Sequence, residues 1–440
     1  MTGSGAGGAL SRGNGPRETG TPRSGAGRGP TDPWRWLAAT AAVAALAAVA
    51  VLRSDGGEPA DPADDDGRRV RVQRGWPVMG TVLRVSSSAP DSAAARRALR
   101  SARSRVERTD SLMSTYRETS DLSRVNDASG SGRGVRVSGS TARVLAAALA
   151  WAEASGGAFD PTAGPLADAW GFHRGEPAMP APARADSAAR LVGWRTVEYD
   201  SARRIVRLPR AGMRLDFGAI AKGWALDRAA SAMRAAGAAG GSVDLGGNVL
   251  VFGPPPREGD RWRLGIRHPR RDGRLIGVVA LDSGSVATSG DAEQFFVHDG
   301  ARYSHVMDPR TGRPARGVAQ VTVIADRGID ADALATTLFV LGPGEGRAFL
   351  RSPFVRRRAP RATAVWLLDP GAGQAFGRAD VVCAGPRAPD VELWIGDAGA
   401  GGEEGAAAGP RGAAAGPRET VASPDSSAGG CRLRPPPGDG

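Results

Sequence analysis

The ends of this 440-residue chain are not expected to fold, and that confines everything else. Residues 1–33 are mostly Gly, Ser, Pro, Thr and Arg, and residues 396–440 are rich in Ala, Gly and Pro. Neither stretch carries enough large apolar side chains to offset the entropy of ordering its backbone. Both are expected to be disordered tails, the first of them basic. Folding is left to residues 70–395, enough for one large or two ordinary domains.

Between the first tail and this body lies "WRWLAATAAVAALAAVAVLR", residues 34–53. From Leu37 to Leu52 only Thr40 is polar, which gives about 24 Å of helix at 1.5 Å per residue. Adding the Trp34–Trp36 end, where Arg35 can snorkel, brings the segment close to the ~30 Å hydrocarbon core of a bilayer. Arg12, Arg17, Arg23, Arg28 and Arg35 precede or open it, and an acidic Pro/Gly-rich linker, residues 54–69, follows. Positive charge on the first side keeps the N-terminal tail cytoplasmic and sends the body across the membrane. A transmembrane anchor and a cleaved signal segment both fit. No cysteine follows the run, so it is not a lipoprotein anchor, and the Pro/Asp-rich linker argues against a buried soluble helix. The expected location is the inner (cytoplasmic) membrane, with the body extracytoplasmic.

Within the body, strand-like runs come in antiparallel-looking groups with helices inserted between them. Residues 70–87 and 195–209, and segments such as "GGSVDLGGNVLVFG", "IGVVALDSGSVATSG" and "AQVTVIADR", carry apolar residues at strand spacing. Helices are expected over 91–116, with Asp91 or Ser92 as the cap, and over 141–155, 223–236 and 331–341. The order predicts an α+β fold on a mixed, largely antiparallel sheet, not regular βαβ alternation. Neither of the standard nucleotide-binding glycine motifs is present.

The formal net charge of +12 is spread along the chain with no aromatic-interleaved basic stripe, so nucleic acid is not an expected partner. Cys383 and Cys431 have no metal-ligand spacing. A disulfide that pins the C-terminal tail and two free thiols are both open.

One residue stands against the composition. Of 58 Lys and Arg residues, Lys222 in "LDFGAIAKGWALDR" is the only lysine. A bias that strong acts on every tolerant site, so position 222 needs a compact ammonium and not a planar guanidinium. Small residues beside Asp216 and a helix starting near Ala221 make this turn either an anion site with a mobile charge or an ordinary strand-to-helix turn with a solvated lysine. In "DADALATTLFVLGPG", Asp332 and Thr336 stand at i and i+4 and share a helix face. They form half of a Mg²⁺-type oxygen site, or else a helix cap and a hydroxyl bonded to its own backbone. His305, in "RYSHVMDPRTGRP", ends a strand beside a rigid turn, where it is a general base, a donor to phosphate or a surface histidine. Tyr116 lies in a polar stretch suited to stacking a flat ring, and "GAFDPTAGPL" offers Phe159 and backbone groups on a loop; ordinary packing fits either segment as well.

In order, "MGT", "STYRETSDLSRVN", "FDPTAGPL", "DFGAIAKGWALD", "DLGGN", "VATSGD", "HVMDPRTGRP" and "ADALATTLFVLG" resemble the FAD:protein FMN transferases, the ApbE-type flavin transferases. The resemblance implies the ApbE-like fold and transfer of FMN from FAD, through a phosphodiester, to a Ser or Thr hydroxyl of a redox flavoprotein, with release of AMP. It implies that Asp216 and Lys222 contact FAD, and that Asp332, Thr336 and the carbonyl of Ala219 hold Mg²⁺. Met79, Tyr116, Gly157, Ala158 and Phe159 fall along the flavin and adenine path, and His305 at the acid–base position. The family often has glycine where Ala219 stands, and the match is loose after Arg351. A Mg²⁺-dependent FAD pyrophosphatase and a non-catalytic flavin-binding protein are the alternatives.

Overall fold

The computed structural model describes residues 69–173, 175–255, 260–371, 374–395 and 430–435. The N-terminal tail and the apolar run lie outside these residues, as does the acidic linker up to residue 68. Among the described residues, no helix is long and apolar enough to cross a membrane.

An eight-stranded sheet forms the centre. Its strands, in spatial order, are Val70–Val78, Thr81–Ala89, Gly240–Leu245, Asn248–Phe252, Gly284–Gly290, Val318–Ala325, Thr363–Leu368 and Val381–Ala384. Every neighbouring pair is antiparallel. Side chains alternate across a strand, so one strand serves two cores. Leu250 and Phe252 pack with the helices Ser92–Met113 and Ala221–Ala235 on one face. Val249 and Val251 point the other way, into a core shared with a smaller four-stranded sheet. The result is a helical layer, a large sheet and a small sheet, the α+β arrangement expected from the order of elements.

Asp91 caps the first helix, its carboxylate accepting from the Ala94 N–H at 2.7 Å. The helix expected over 331–341 runs over Gly328–Leu350. It is broken at Gly342, whose φ of 64° lies outside helical space just ahead of Pro343.

The C-terminal tail expected over 396–440 needs one correction. Arg432–Arg434 is a strand, paired in parallel with Val391–Trp394 in the small sheet. A disulfide between Cys383 and Cys431 ties it to the large sheet. Leu433 and both cysteines pack against the core between the two sheets. Composition of the surrounding tail hid this short apolar anchor.

Candidate active site

Two helices meet at the centre of the site and are stitched in both directions. Asp227, on Ala221–Ala235, accepts from the N–H groups of Gly328 (2.7 Å) and Ile329 (3.1 Å) at the start of Gly328–Leu350. In return Asp332, on the second helix, accepts from the Gly223 N–H at 2.8 Å on the first. Each carboxylate thus satisfies N–H groups that a helix start leaves without intrahelical partners. A side chain at Gly223 would run into the Gly328 carbonyl and come within 2.7 Å of the Asp332 Cβ, so only glycine permits this approach. Lys222 is therefore held at the seam.

Asp332 is 5% exposed. Its second oxygen accepts from Asn248 Nδ2 at 2.9 Å. Burial raises its pKa, and the Lys222 charge, the Gly223 N–H and Asn248 oppose that shift. One turn on, Thr336 Oγ1 lies 3.2 Å from Ser289 Oγ. The bond to the helix's own backbone is made by its neighbour Thr337, to the Ala333 carbonyl at 2.7 Å. Asp332 caps the other helix and not its own, so neither of the purely local roles open to this pair describes it. Among the described residues, no group of three or more His, Cys, Asp or Glu is arranged to hold a metal. A cation here would rest on one carboxylate and neutral oxygens.

On the approach to Lys222, Asp216 accepts from the Gly218 N–H at 2.6 Å through one oxygen. Its other oxygen lies 3.0 Å from His173 Nε2. His173 Nδ1 lies 3.2 Å from Asp168, whose other oxygen is 3.3 Å from Arg214 Nε. Burial disfavours a charge on Asp216, but His173, the Gly218 N–H and Arg214 outweigh it and lower its pKa. The Tyr116 hydroxyl reaches 3.5 Å from the His173 carbonyl.

His305 closes the site. Its Nδ1 lies 3.4 Å from the Gln294 carbonyl, and the Phe172 ring meets it edge-on at 6.4 Å. Burial, with the charges of Lys222 and His173, holds its pKa below the usual histidine value in spite of Glu293. The ring is neutral at pH 7, and an Nδ1–H directed at Gln294 leaves Nε2 as a base.

The ApbE family model matches residues 79–357. This chain belongs to the ApbE family. Its relatives include the FAD:protein FMN transferase of Treponema pallidum, 37% identical over 306 residues, which cover 65% of this chain and 83% of that protein. The enzyme of the same name from Vibrio cholerae is 34% identical over 285 residues, 63% of this chain and 84% of that one. Among solved structures, the ApbE protein of Thermotoga maritima superposes with a TM-score of 0.61 at 34% identity, covering 69% of this chain and 96% of that one. The ApbE motifs span both the stitched helices and the bend that carries His305.

The structure gathers Asp216, Lys222, His305, Asp332 and Thr336 into one region. Ala219 sits in the turn between Asp216 and the Lys222 helix. Met79 and Gly80 both take positive φ (53° and 68°) in the two-residue turn joining the first two strands, and Met79 packs between two helical cores. Tyr116 is 70% exposed, as a ring-stacking surface requires. The Gly157 segment is different. Ala158 and Phe159 are 1% and 3% exposed, so their side chains belong to the core and only their backbone can meet a ligand. His173, Asp168, Asn248 and Ser289 join the site without having been singled out. No spacing in the sequence connects His173 to Asp216; the fold does.

Proposed function

We propose that the chain transfers the FMN moiety of FAD to a Ser or Thr hydroxyl of an acceptor flavoprotein and releases AMP. Family membership supports this, and the observation that carries it is the placement of Lys222 at the seam where its charge reaches both Asp332 and His305. Asp332 and Thr336, with the Ala219 carbonyl, would hold Mg²⁺. A buried carboxylate with two hydroxyls beside it matches that ion, which favours one or two carboxylates and completes its shell with phosphate and water. When bound, Mg²⁺ would neutralise charge building on the departing AMP phosphate.

The chain's own groups supply the rest. Lys222 binds a non-bridging phosphate oxygen as a point charge. His305 Nε2 takes the proton from the acceptor hydroxyl as its oxygen bonds to the FMN phosphorus. The bond from that phosphorus to the AMP oxygen breaks, and the pair of electrons leaves with AMP. Tyr116 offers a face for a flat ring.

The proposal extends to location, with residues 34–53 as anchor or export signal at the inner membrane and the body outside the cytoplasm. The Cys383–Cys431 disulfide supports an oxidising compartment. Incubating the full chain with FAD, Mg²⁺ and a candidate acceptor should give a fluorescent, covalently flavinylated protein and AMP. Free FMN with no protein-bound fluorescence would overturn the transferase in favour of the pyrophosphatase.

A further inference from the structure

His173 is a titratable group of the site that the transfer chemistry leaves unused. Its two ring nitrogens face two different carboxylates: Nε2 lies 3.0 Å from Asp216, and Nδ1 lies 3.2 Å from Asp168. Carboxylate oxygens only accept hydrogen bonds, while a neutral imidazole has one N–H and one lone pair. A neutral ring would set its lone pair against one of the two anions. With Asp216 held ionised and Asp168 paired to Arg214, both contacts hold together only if both nitrogens carry protons.

We propose that His173 is the positioning residue of the Asp216 carboxylate, an imidazolium clamped between Asp168 and Asp216 that fixes Asp216 for FAD. The clamp sets the rotation of the carboxylate. One Asp216 oxygen is held by the Gly218 N–H and the other by His173, so ligand donors meet the remaining lone pairs in one fixed direction. Arg214 anchors the far side by pairing with the other oxygen of Asp168. The neighbouring Phe172 packs against the His305 ring, so the same turn of chain touches both sides of the site.

The groups facing His173 are Asp168, Asp216, Arg214 and, across Phe172, His305; the Tyr116 hydroxyl meets its carbonyl. The two carboxylates raise the His173 pKa to about 9 against the opposing effect of burial. Asp216 and His305 are both shifted downward and so complete their titration below this window.

This inference rests on the proposed FAD site, and two measurements keep the two apart. The first is FAD affinity of the full chain from pH 7 to 9.5, read by flavin fluorescence before turnover, for the wild type, His173→Gln and Asp168→Asn. Wild-type Kd should stay level at low pH and rise as pH passes about 9. His173→Gln should bind about tenfold more weakly at pH 7.5, the loss of one charge-assisted hydrogen bond, and show no rise of its own through pH 9. Asp168→Asn, with one anion fewer, should move the midpoint to lower pH while keeping the Asp216 contact. A residue that only filled space would not move that midpoint. The second measurement is the ring ¹⁵N spectrum of the ¹⁵N-histidine-labelled chain, with His173 assigned by its absence from His173→Gln. An imidazolium at pH 7.5 is expected. A neutral tautomer there, or a His173→Gln chain with the wild-type Kd and pH profile, would overturn the clamp. A wild type that binds no FAD overturns the transferase reading and the FAD role of Asp216 with it, while the ¹⁵N signal still tests the ionic clamp itself.

Discussion

Gly223 and Gly328 face each other so closely that a Cβ on either would strike the other's carbonyl. This contact brings the Lys222 helix and the Asp332 helix near enough for the Gly223 N–H to reach Asp332. A packing requirement and the proposed metal site meet in two residues without side chains.

Gly223→Ala should therefore damage fold and site together. Overpacking a tight helix contact costs typically 1–3 kcal/mol, and here the obstacle is backbone, which yields little. Denaturant unfolding should show a loss of about that size, and FAD binding should fall with it. Wild-type stability in Gly223→Ala would mean that the helices can separate freely.

Lys222→Arg tests the lone lysine against the residue this chain otherwise prefers. The fold should persist, since Lys222 is partly exposed. Flavin transfer should drop about 100-fold, the usual effect of displacing one preorganised charge from a transition state. An arginine variant of full activity would make the single lysine an accident of composition.

Asp332→Asn separates metal from scaffold. The amide oxygen can still accept from the Gly223 N–H, so melting should change little. Its NH₂ cannot serve a cation, and a turned Asn248 amide can meet it with Oδ1. Mg²⁺-dependent FAD turnover should fall by at least about 100-fold, checked by AMP release across a Mg²⁺ titration. Retained Mg²⁺ dependence would place the ion elsewhere.

The histidines give opposite pH signatures. His305 acts as a base only when neutral, and its pKa lies below the ordinary value. Activity should rise with pH along an acid limb below pH 6.5, and His305→Gln should remove that limb. His173 is raised from 6.5 to about 9, so it contributes stability that is complete below pH 6.5 and lost as pH climbs through 9. Apo-protein stability should decline over that window by something on the order of 2–3 kcal/mol, and His173→Gln should flatten the decline.

The disulfide makes a local prediction. Closing a separation of 48 residues is worth at most about 4 kcal/mol by chain entropy. Cys431→Ser should lower the unfolding midpoint and release Arg432–Arg434 to hydrogen exchange, yet leave FAD affinity untouched, because the small sheet packs on the face away from the stitched helices.

What the sequence made legible was whatever is carried by local spacing or by an exception to composition. The i, i+4 pair Asp332–Thr336, the helix start at Ala221 and the solitary Lys222 all fall in the region where the two stitched helices meet. His173 and Asp216 are far apart in the chain, and so are Gly223 and Gly328; such pairs exist only once the strands between them have paired. The cysteines failed to declare themselves for the same reason. Ala158 and Phe159 do lie on a loop, but which way a loop side chain turns depends on the core beneath it.

Because Lys222 is the chain's sole lysine, it is also its sole ε-amine, with only the α-amino group as a competitor. An amine-reactive acylating reagent at alkaline pH thus has two amine targets, the α-amino group and Lys222 at the proposed FAD site. Intact mass would count the adducts, and protection by FAD would turn ordinary bioconjugation chemistry into an occupancy gauge that needs no engineered handle.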